Sequence, residues 1–593
     1  MATTDMTAAA WLDRFSNALG RRDIEAAVGL FGCECYWRDL VAFTWNITTC
    51  EGRDEIAAML AETLPRVAPS GWRLESEARD DAGVVEAWIR FETAVGRGRG
   101  LLRLRDGVGW TLLTTLQELK GFEERSGARR VPGTQHGAVK GRRSWRDRKR
   151  EEAAALGTTR QPYCVIIGGG QGGIALAARL RRLDVPTLIV EKNARPGDSW
   201  RNRYASLVLH DPVWYDHLPY LPFPDDWPVF TPKDKVGDWL EAYVQIMELD
   251  YWGASEATAA QYNARDGAWT VTVNRNGRDH ILRPRQLVFA TGAYGPPNEV
   301  CFPGQESFAG ACMHSSRYRD GATYAGRRCI VIGSNSSAHD ICADLWEQGA
   351  DVTMIQRSPT TVVRSETLMQ LAFEPLYSEA ALEAGITTEV ADLLFAATPF
   401  RLMAAQQRAL YAEIARRDAA FYEGLRRAGF LLDWGEDESG LMMKALRTGS
   451  GYYIDVGASG LIMQGAIRLR SGVEIARVLP RAVRLTDGSE LPADLIVTAT
   501  GYRSMHEIVG QIVSPQVAEA VGPCWGIGSG VRGDPGPWQG ELRNMWKPTA
   551  QPGLWFQGGN LALSRHYSKF LALQIKARME GITTPVFGAV QGC

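Results

Sequence analysis

The sequence predicts an α/β chain with two parallel-sheet units, each built to hold a dinucleotide, preceded by a smaller α+β domain. Three observations carry that prediction. From Cys164, the run CVIIGGGQGGIALAARLRRLDVPTLIVEK reads as strand, glycine turn, helix, second strand and terminal acid. A second copy of the plan, RCIVIGSNSSAHDICADLWEQGADVTMIQR, begins at Arg328. Ahead of both, residues 1–122 place helical periodicity first and alternating apolar runs after it. A helix between two apolar strands makes a right-handed crossover and therefore a parallel pair.

Bulk properties narrow the class. At 593 residues the chain exceeds what one hydrophobic core supports, so several domains are expected. Its 45% hydrophobic and 23% charged residues are ordinary for a globular protein. A net charge of −2 gives no global field to draw nucleic acid or an anionic membrane, and neither partner is expected. Nineteen Trp suit sites for flat ligands. The ten Cys are scattered without a CxxC pair, which points to reduced thiols and a cytoplasmic location. The opening MATTDMTAAAWLDRF lacks a basic region followed by an apolar run, and no stretch approaches the ~18 apolar residues of a membrane span.

In the N-terminal part, Trp11, Phe15, Leu19, Ala27, Leu30 and Phe31 follow a 3.6-residue period. A second helix follows GRDEI at 52–56, with Ile56, Met59 and Leu60 as its stripe. VVEAWIRFETAV, GLLRLRDG and GWTLLTTLQEL then read as strands of a curved antiparallel sheet. Helices followed by such a sheet make an α+β cone. Trp37 is expected in its core and Asp39 at a surface or capping position. Residues 123–160 are rich in Arg, Lys, Gly and Pro with no aromatic platform, and read as a basic linker.

Gly168, Gly170 and Gly173 fill G-x-G-x-x-G between the strand CVII and a helix. In this Rossmann-like plan the first Gly makes the tight turn, the second lets a pyrophosphate approach the backbone, and the third lets helix and sheet pack closely. The pyrophosphate then meets the free N–H groups of the helix start, around Gln171. Glu191, at the end of the next strand and followed by Lys192, is the candidate acceptor for ribose hydroxyls. The second turn reads Gly333-Ser334-Asn335-Ser336-Ser337-Ala338. Asn335 replaces the middle Gly, a residue chosen for its tolerance of a left-handed backbone. Gln356-Arg357-Ser358 stands where an acid would bind a ribose, and the Arg357 guanidinium suits a 2′-phosphate. Two units imply two dinucleotides: FAD at the first and NADPH at the second, with hydride passing from nicotinamide to flavin.

Phe308, Gly310, His314 and Tyr318 in FAGACMHSSRYRDG fill F-x-G-x-x-x-H-x-x-x-Y, just before the second unit. With PGDSWRNRYASL, which holds Trp200, with FATGAYGPP, which holds Thr291 and Gly292, with ATGY at 499–502 and with LWFQGGNLALSRHYSKFLALQIKA, this resembles the flavin-containing monooxygenases over about 160–585. Related Baeyer–Villiger monooxygenases carry Trp where Tyr318 stands. With its N-terminal domain, similar to nuclear-transport-factor-like and SnoaL-like proteins, the chain resembles the type II group.

That resemblance implies a first part of the FAD-binding domain at 161–326 and an NADPH-binding domain at 327–475 with a helical insertion at about 370–435. It implies a second FAD part at 476–593, and a likeness to homodimeric enzymes. It also implies insertion of one oxygen atom from dioxygen, through a flavin C4a-(hydro)peroxide, into a soft nitrogen or sulfur nucleophile or a small ketone. Baeyer–Villiger oxidation and indole-pyruvate-type oxidative decarboxylation are the alternative outcomes, and family members accept NADH beside NADPH. Where many members have Asn after the Y-x-x-L pattern, this sequence reads Leu209-His210-Asp211. His210 is therefore the candidate for that catalytic position, against a structural hydrogen-bonded role. His314 is expected to position NADP⁺ or the domain hinge. A flavin disulfide reductase shares both nucleotide folds but requires a close redox dithiol, which the cysteine spacing lacks.

Overall fold

The structure is a computed structural model and describes residues 2–134, 136–292, 295–528, 534 and 538–588. Ala293 and Tyr294 of the FATGAYGPP motif lie outside the described residues.

In the N-terminal domain the helices Ala2–Gly20 and Gly52–Val67 pack on a seven-stranded sheet. Trp11, Phe15, Leu19, Ile56, Met59 and Leu60 are all buried against it. Leu30 and Phe31 do not continue the helical stripe. The second short helix ends at Val28, and Phe31 opens the strand Phe31–Leu40. The Leu30 carbonyl accepts the Gly109 N–H and the Trp11 indole, which ties the chain into the sheet instead. That strand runs parallel to Val108–Leu119, so the sheet is mixed rather than wholly antiparallel. Trp37 is fully buried. Asp39 is buried too, not at the surface: it accepts the Phe43 and Thr44 N–H groups and the hydroxyls of Thr44 and Thr114, capping the turn after its strand. The basic linker holds one exposed helix, Trp145–Ala155, started by the Ser144 hydroxyl accepting the Asp147 N–H.

The first parallel sheet runs Tyr251–Trp252, Thr187–Val190, Cys164–Ile167, Gln286–Phe289, Leu554–Phe556. Its inner strands are buried along their whole length, as a parallel sheet covered on both faces requires. The helices Gln171–Arg182 and Leu561–Met579 pack together against it. The second parallel sheet runs Ala311–His314, Leu495–Thr498, Arg328–Ile332, Asp351–Gln356, Ile467–Ser471. Two of its strands therefore lie outside 327–475. The chain enters this unit through the His314 strand and leaves it through Leu495–Thr498 before Leu554–Phe556 rejoins the first sheet. Between Asp351–Gln356 and Ile467–Ser471 comes the helical insertion, which is longer than 370–435. It starts at Ser365, and the helix Gly440–Thr448 belongs to it.

The three parts interlock. Arg38 of the N-terminal sheet is fully buried and makes a bidentate pair with Glu541, Nε to Oε1 2.7 Å and Nη2 to Oε2 2.8 Å. Its Nη1 donates to the Ala396 carbonyl of the insertion. Among the described residues no helix is long and apolar enough to cross a membrane.

Candidate active site

The first glycine turn is closed by contacts that leave no room for side chains. Gly168 has φ 108°, and a Cβ there would lie 2.3 Å from the Ala290 carbonyl oxygen. A Cβ on Gly173 would lie 2.1 Å from the Gly168 oxygen. Gly170 differs: its φ of −79° and ψ of −172° suit any residue, and its nearest neighbour would be Ser199 Oγ at 3.7 Å. Its lack of a side chain therefore keeps the approach to the helix N-terminus open, which is what a pyrophosphate needs.

Glu191 is buried at the end of Thr187–Val190. Its carboxylate accepts the Gly169 N–H at 2.6 Å and both the backbone and amide N–H of Asn193. Three of about four lone-pair directions are thus used, leaving one for a ribose hydroxyl. Lys192 beside it is exposed. Gln171 accepts the Trp200 indole N–H at 3.3 Å and donates to the Gly559 carbonyl at 3.3 Å, so three distant segments form a collar at the helix start. The Thr291 hydroxyl and both amide atoms of the fully buried Gln557 find no partner among the described residues. Gly292, at φ 105°, has open space where a Cβ would be. Buried polar groups normally have partners, so these orphans fit a flat cofactor with polar edges, as FAD is.

The second turn lines a cavity of about 520 Å³, within the size range of small-ligand sites, bounded by Gly333, Ser334, Asn335, Ser336, Arg357 and Ser358 among others. Gly333 has φ 126°, and a Cβ would lie 2.6 Å from the Ala499 oxygen. Asn335 caps the helix Ser336–Glu347 with φ −94° and ψ −174°. Left-handed tolerance is therefore not what allows Asn here; its backbone matches that of Gly170. Ser334 is hydrogen-bonded to Thr360, and Ser336 donates to the Tyr452 carbonyl. Arg357 and Ser358 are exposed at the cavity wall, which fits a 2′-phosphate reached from solvent.

The F-x-G-x-x-x-H-x-x-x-Y stretch braces this unit. A Cβ on Gly310 would lie 2.3 Å from the Asp494 oxygen. Tyr318 is fully buried and donates to Asp344 Oδ2 at 2.5 Å. His314 is buried, donates Nε2–H to the Gly501 carbonyl at 3.0 Å, and accepts the Ser316 N–H at Nδ1. Burial lowers its pKa, against the opposing Gly501 contact. Both ring nitrogens are thus occupied by the chain's own groups, and His314 ties its strand to the 499–502 loop.

His210 lies on the other side of the seam. Its Nε2 is 3.6 Å from Asp340 Oδ1, on the second unit's own helix. Asp340 also accepts the Tyr204 hydroxyl at 2.7 Å, and burial raises its pKa against the pull of His210. Asp211 follows at once: burial pushes it up to about 6, opposed by His210 and by a hydrogen bond from Asn560. Asn560 caps the helix Leu561–Met579 and donates to the Tyr215 hydroxyl at 3.3 Å. Asp216 is buried with one oxygen unpartnered, and burial together with Asp211 raises its pKa. Sequence reading had named only His210 here. Asp211 stood in the quoted tripeptide, but Asp340, Gln557 and Asn560 come from segments whose approach only the fold reveals.

Two glycine turns of this geometry, one with orphaned polar groups beside it, define a protein built to hold two dinucleotides. Residues 166–221 match the model of an NAD(P)-binding Rossmann-like domain, and residues 228–404 that of pyridine nucleotide-disulphide oxidoreductase. Indole-3-pyruvate monooxygenase YUCCA1 of Oryza sativa subsp. japonica is 32% identical over 344 residues, which span 58% of this chain and 77% of that protein. Probable indole-3-pyruvate monooxygenase YUCCA7 of Arabidopsis thaliana is 32% identical over 57% of this chain and 74% of its own. The open crystal structure of cyclohexanone monooxygenase shares the fold, with a TM-score of 0.51 at 19% identity over 71% of this chain and 88% of that one. The chain belongs to the flavin monooxygenase family. It is a flavin-dependent monooxygenase that uses FAD and NADPH.

Proposed function

We propose that the chain oxygenates a small carbonyl compound, a ketone or a 2-oxo acid, and that soft nitrogen or sulfur centres are its secondary substrates. The observation that carries this reading is the His210–Asp211–Asp340 group beside Asn560. When bound, FAD accepts hydride from NADPH and activates dioxygen for transfer of one oxygen atom. Attack on a carbonyl carbon needs a nucleophilic oxygen donor, whereas a soft heteroatom needs an electrophilic one. Asp211, raised by burial to about 6, is charged and able to accept a proton at pH 7, which favours the nucleophilic course. His210 lies beside that carboxylate, its Nε2 3.6 Å from Asp340 Oδ1. Gln171 and Trp200 fix the helix start, and the 499–502 loop held by His314 positions the nicotinamide side. The buried Tyr215 and Gln557 keep water out of the space between the units.

The names of the indole-3-pyruvate monooxygenase relatives support a 2-oxo acid. In this reading residues 1–122 are a SnoaL-like domain of the type II group, docked on the core as a wall rather than free in solution. The enzyme is proposed to work in the cytoplasm as a homodimer. The test is NADPH oxidation with a panel of cyclic ketones, aryl 2-oxo acids, amines and sulfides, with products identified. Esters or decarboxylated acids are expected as the main products. Sulfoxides or N-oxides alone, at high coupling, would overturn the carbonyl reading while leaving the monooxygenase intact.

A further inference from the structure

A second cavity, of about 360 Å³, lies away from both glycine turns, where the N-terminal sheet faces the flavin-binding core. It falls within the range of small-ligand sites. Its walls combine the sheet's strands, the start of the linker, the far end of the helix Gln171–Arg182 and the middle of the helix Leu561–Met579.

Of the basic side chains lining it, Arg73 reaches the Gly71 carbonyl, and the others fall into two groups. Arg90, Arg97 and Arg129 are each paired with a carboxylate: Arg90 with Glu75, Arg97 and Arg129 with Glu118 and Glu123. Arg179 and Lys569 have no such pair among the described residues. Arg179 is only 8% exposed, and its Nε finds no partner. Its Nη2 reaches the Arg565 carbonyl at 3.5 Å, and its guanidinium lies over the Tyr220 ring at 4.6 Å. Lys569 donates to the Gln117 side chain. Burial lowers Lys569 to about 8 and Arg179 adds to that effect, while Glu389 and Glu124 oppose it. Glu124 is itself taken by the Tyr220 hydroxyl at 2.5 Å. The Arg179 Nε–H without a partner among the described residues, beside a half-buried ammonium, leaves donors that an anion satisfies, in a cavity also lined by Glu92, Glu118, Glu124 and Glu389. Phe91, Leu183, Ala572 and Leu573 give the same cavity an apolar side.

We propose that this cavity is a binding site for a small organic oxyanion, its charged group held between Arg179 and Lys569 and its apolar body laid along Leu183, Ala572 and Leu573. The site is distinct from the nucleotide sites. It joins the N-terminal domain, through Gln117, to the core, through Arg179 and Lys569. A ligand there ties the two together and raises the melting temperature in proportion to its concentration. Benzoate and inorganic phosphate are the probes that separate a carboxylate site from a phosphate site.

The experiment uses FAD-loaded enzyme saturated with NADP⁺, so that neither probe competes at Arg357. Calorimetric titration and melting curves are recorded for the wild type, Lys569→Gln, Gln117→Leu and Arg179→Gln. Millimolar or tighter binding of one probe with a rise in melting temperature is expected, weakened about tenfold or more in Lys569→Gln and Arg179→Gln. Benzoate binding more tightly than phosphate assigns a carboxylate ligand, and the reverse assigns a phosphate. If Arg179→Gln does not load FAD, Lys569→Gln and Gln117→Leu decide alone, since neither lies on a glycine turn. No binding of either probe at millimolar concentration, or binding that Lys569→Gln leaves unchanged, overturns the proposal.

Discussion

His210 and Asp340 face each other across the seam between the two nucleotide-binding units, Nε2 to Oδ1 3.6 Å. The gap is longer than a hydrogen bond and within the reach of an ion pair. Asp340 belongs to the helix that starts at the second glycine turn, so a cofactor bound there bears directly on His210. His210→Asn removes the imidazole ring and keeps a polar side chain. FAD content and NADPH oxidation should persist. The ratio of carbonyl-derived product to sulfoxide should fall by about tenfold or more. Product analysis with a mixed ketone and sulfide feed checks this, and an unchanged ratio assigns His210 a purely structural role.

Asp211 gives the site a pH dependence. Its folded-state pKa is raised, to about 6, so the carboxylate is protonated below that value and charged above it. If the charged form accepts the proton, kcat/KM for a carbonyl substrate falls as pH drops through about 6 and is level above it. Asp211→Asn should lower the plateau by about tenfold to a hundredfold and remove that acid limb. His210 and Asn560 stabilise the charged form, so His210→Asn should shift the limb to higher pH. A limb that stays in Asp211→Asn belongs to another group.

Much of this architecture was legible before the fold was known, because its signals are local. Gly168 and Gly173 announce a turn in which a Cβ would strike backbone, and the strand on either side is uniformly apolar. The second turn was legible despite Asn335, because its extended backbone is one that any residue adopts. What escaped was non-local. Phe31–Leu40 pairs with Val108–Leu119, far along the chain, and its periodicity from Ala27 to Phe31 imitates a helix. Asp340 reads as one more polar residue on a helix until Tyr204 and His210 are brought to it. Glu541 carries no motif, yet it is the buried partner of Arg38.

Arg357 tests cofactor choice. It is exposed at the wall of the second cavity, at the end of Asp351–Gln356. Its planar guanidinium binds a phosphate dianion through two hydrogen bonds, while a 2′-hydroxyl offers it little. Arg357→Ala should raise the KM for NADPH by about tenfold and leave that for NADH nearly unchanged. Flavin content should not move. Equal losses for both nucleotides mean that Arg357 serves the cavity's shape and not the phosphate.

The Arg38–Glu541 pair governs how firmly the N-terminal domain is docked. Both side chains are almost wholly buried, and their contact is bidentate. Arg38 also spans the junction, reaching the Ala396 carbonyl and the Tyr567 hydroxyl. Thr49 donates a further hydrogen bond to Glu541 Oε1 at 2.8 Å. Removing one member strands the other charge without water, which costs about 3–5 kcal/mol for pairs of this kind. Arg38→Ala should therefore lower the denaturation midpoint and separate undocking of the N-terminal domain from unfolding of the core. The double change Arg38→Met with Glu541→Leu removes both charges and should recover most of the loss. Denaturant curves read by tryptophan fluorescence and by flavin release report the two events separately. If Arg38→Ala costs less than about 1 kcal/mol, the range of an exposed pair, water reaches the junction and the docking is held elsewhere.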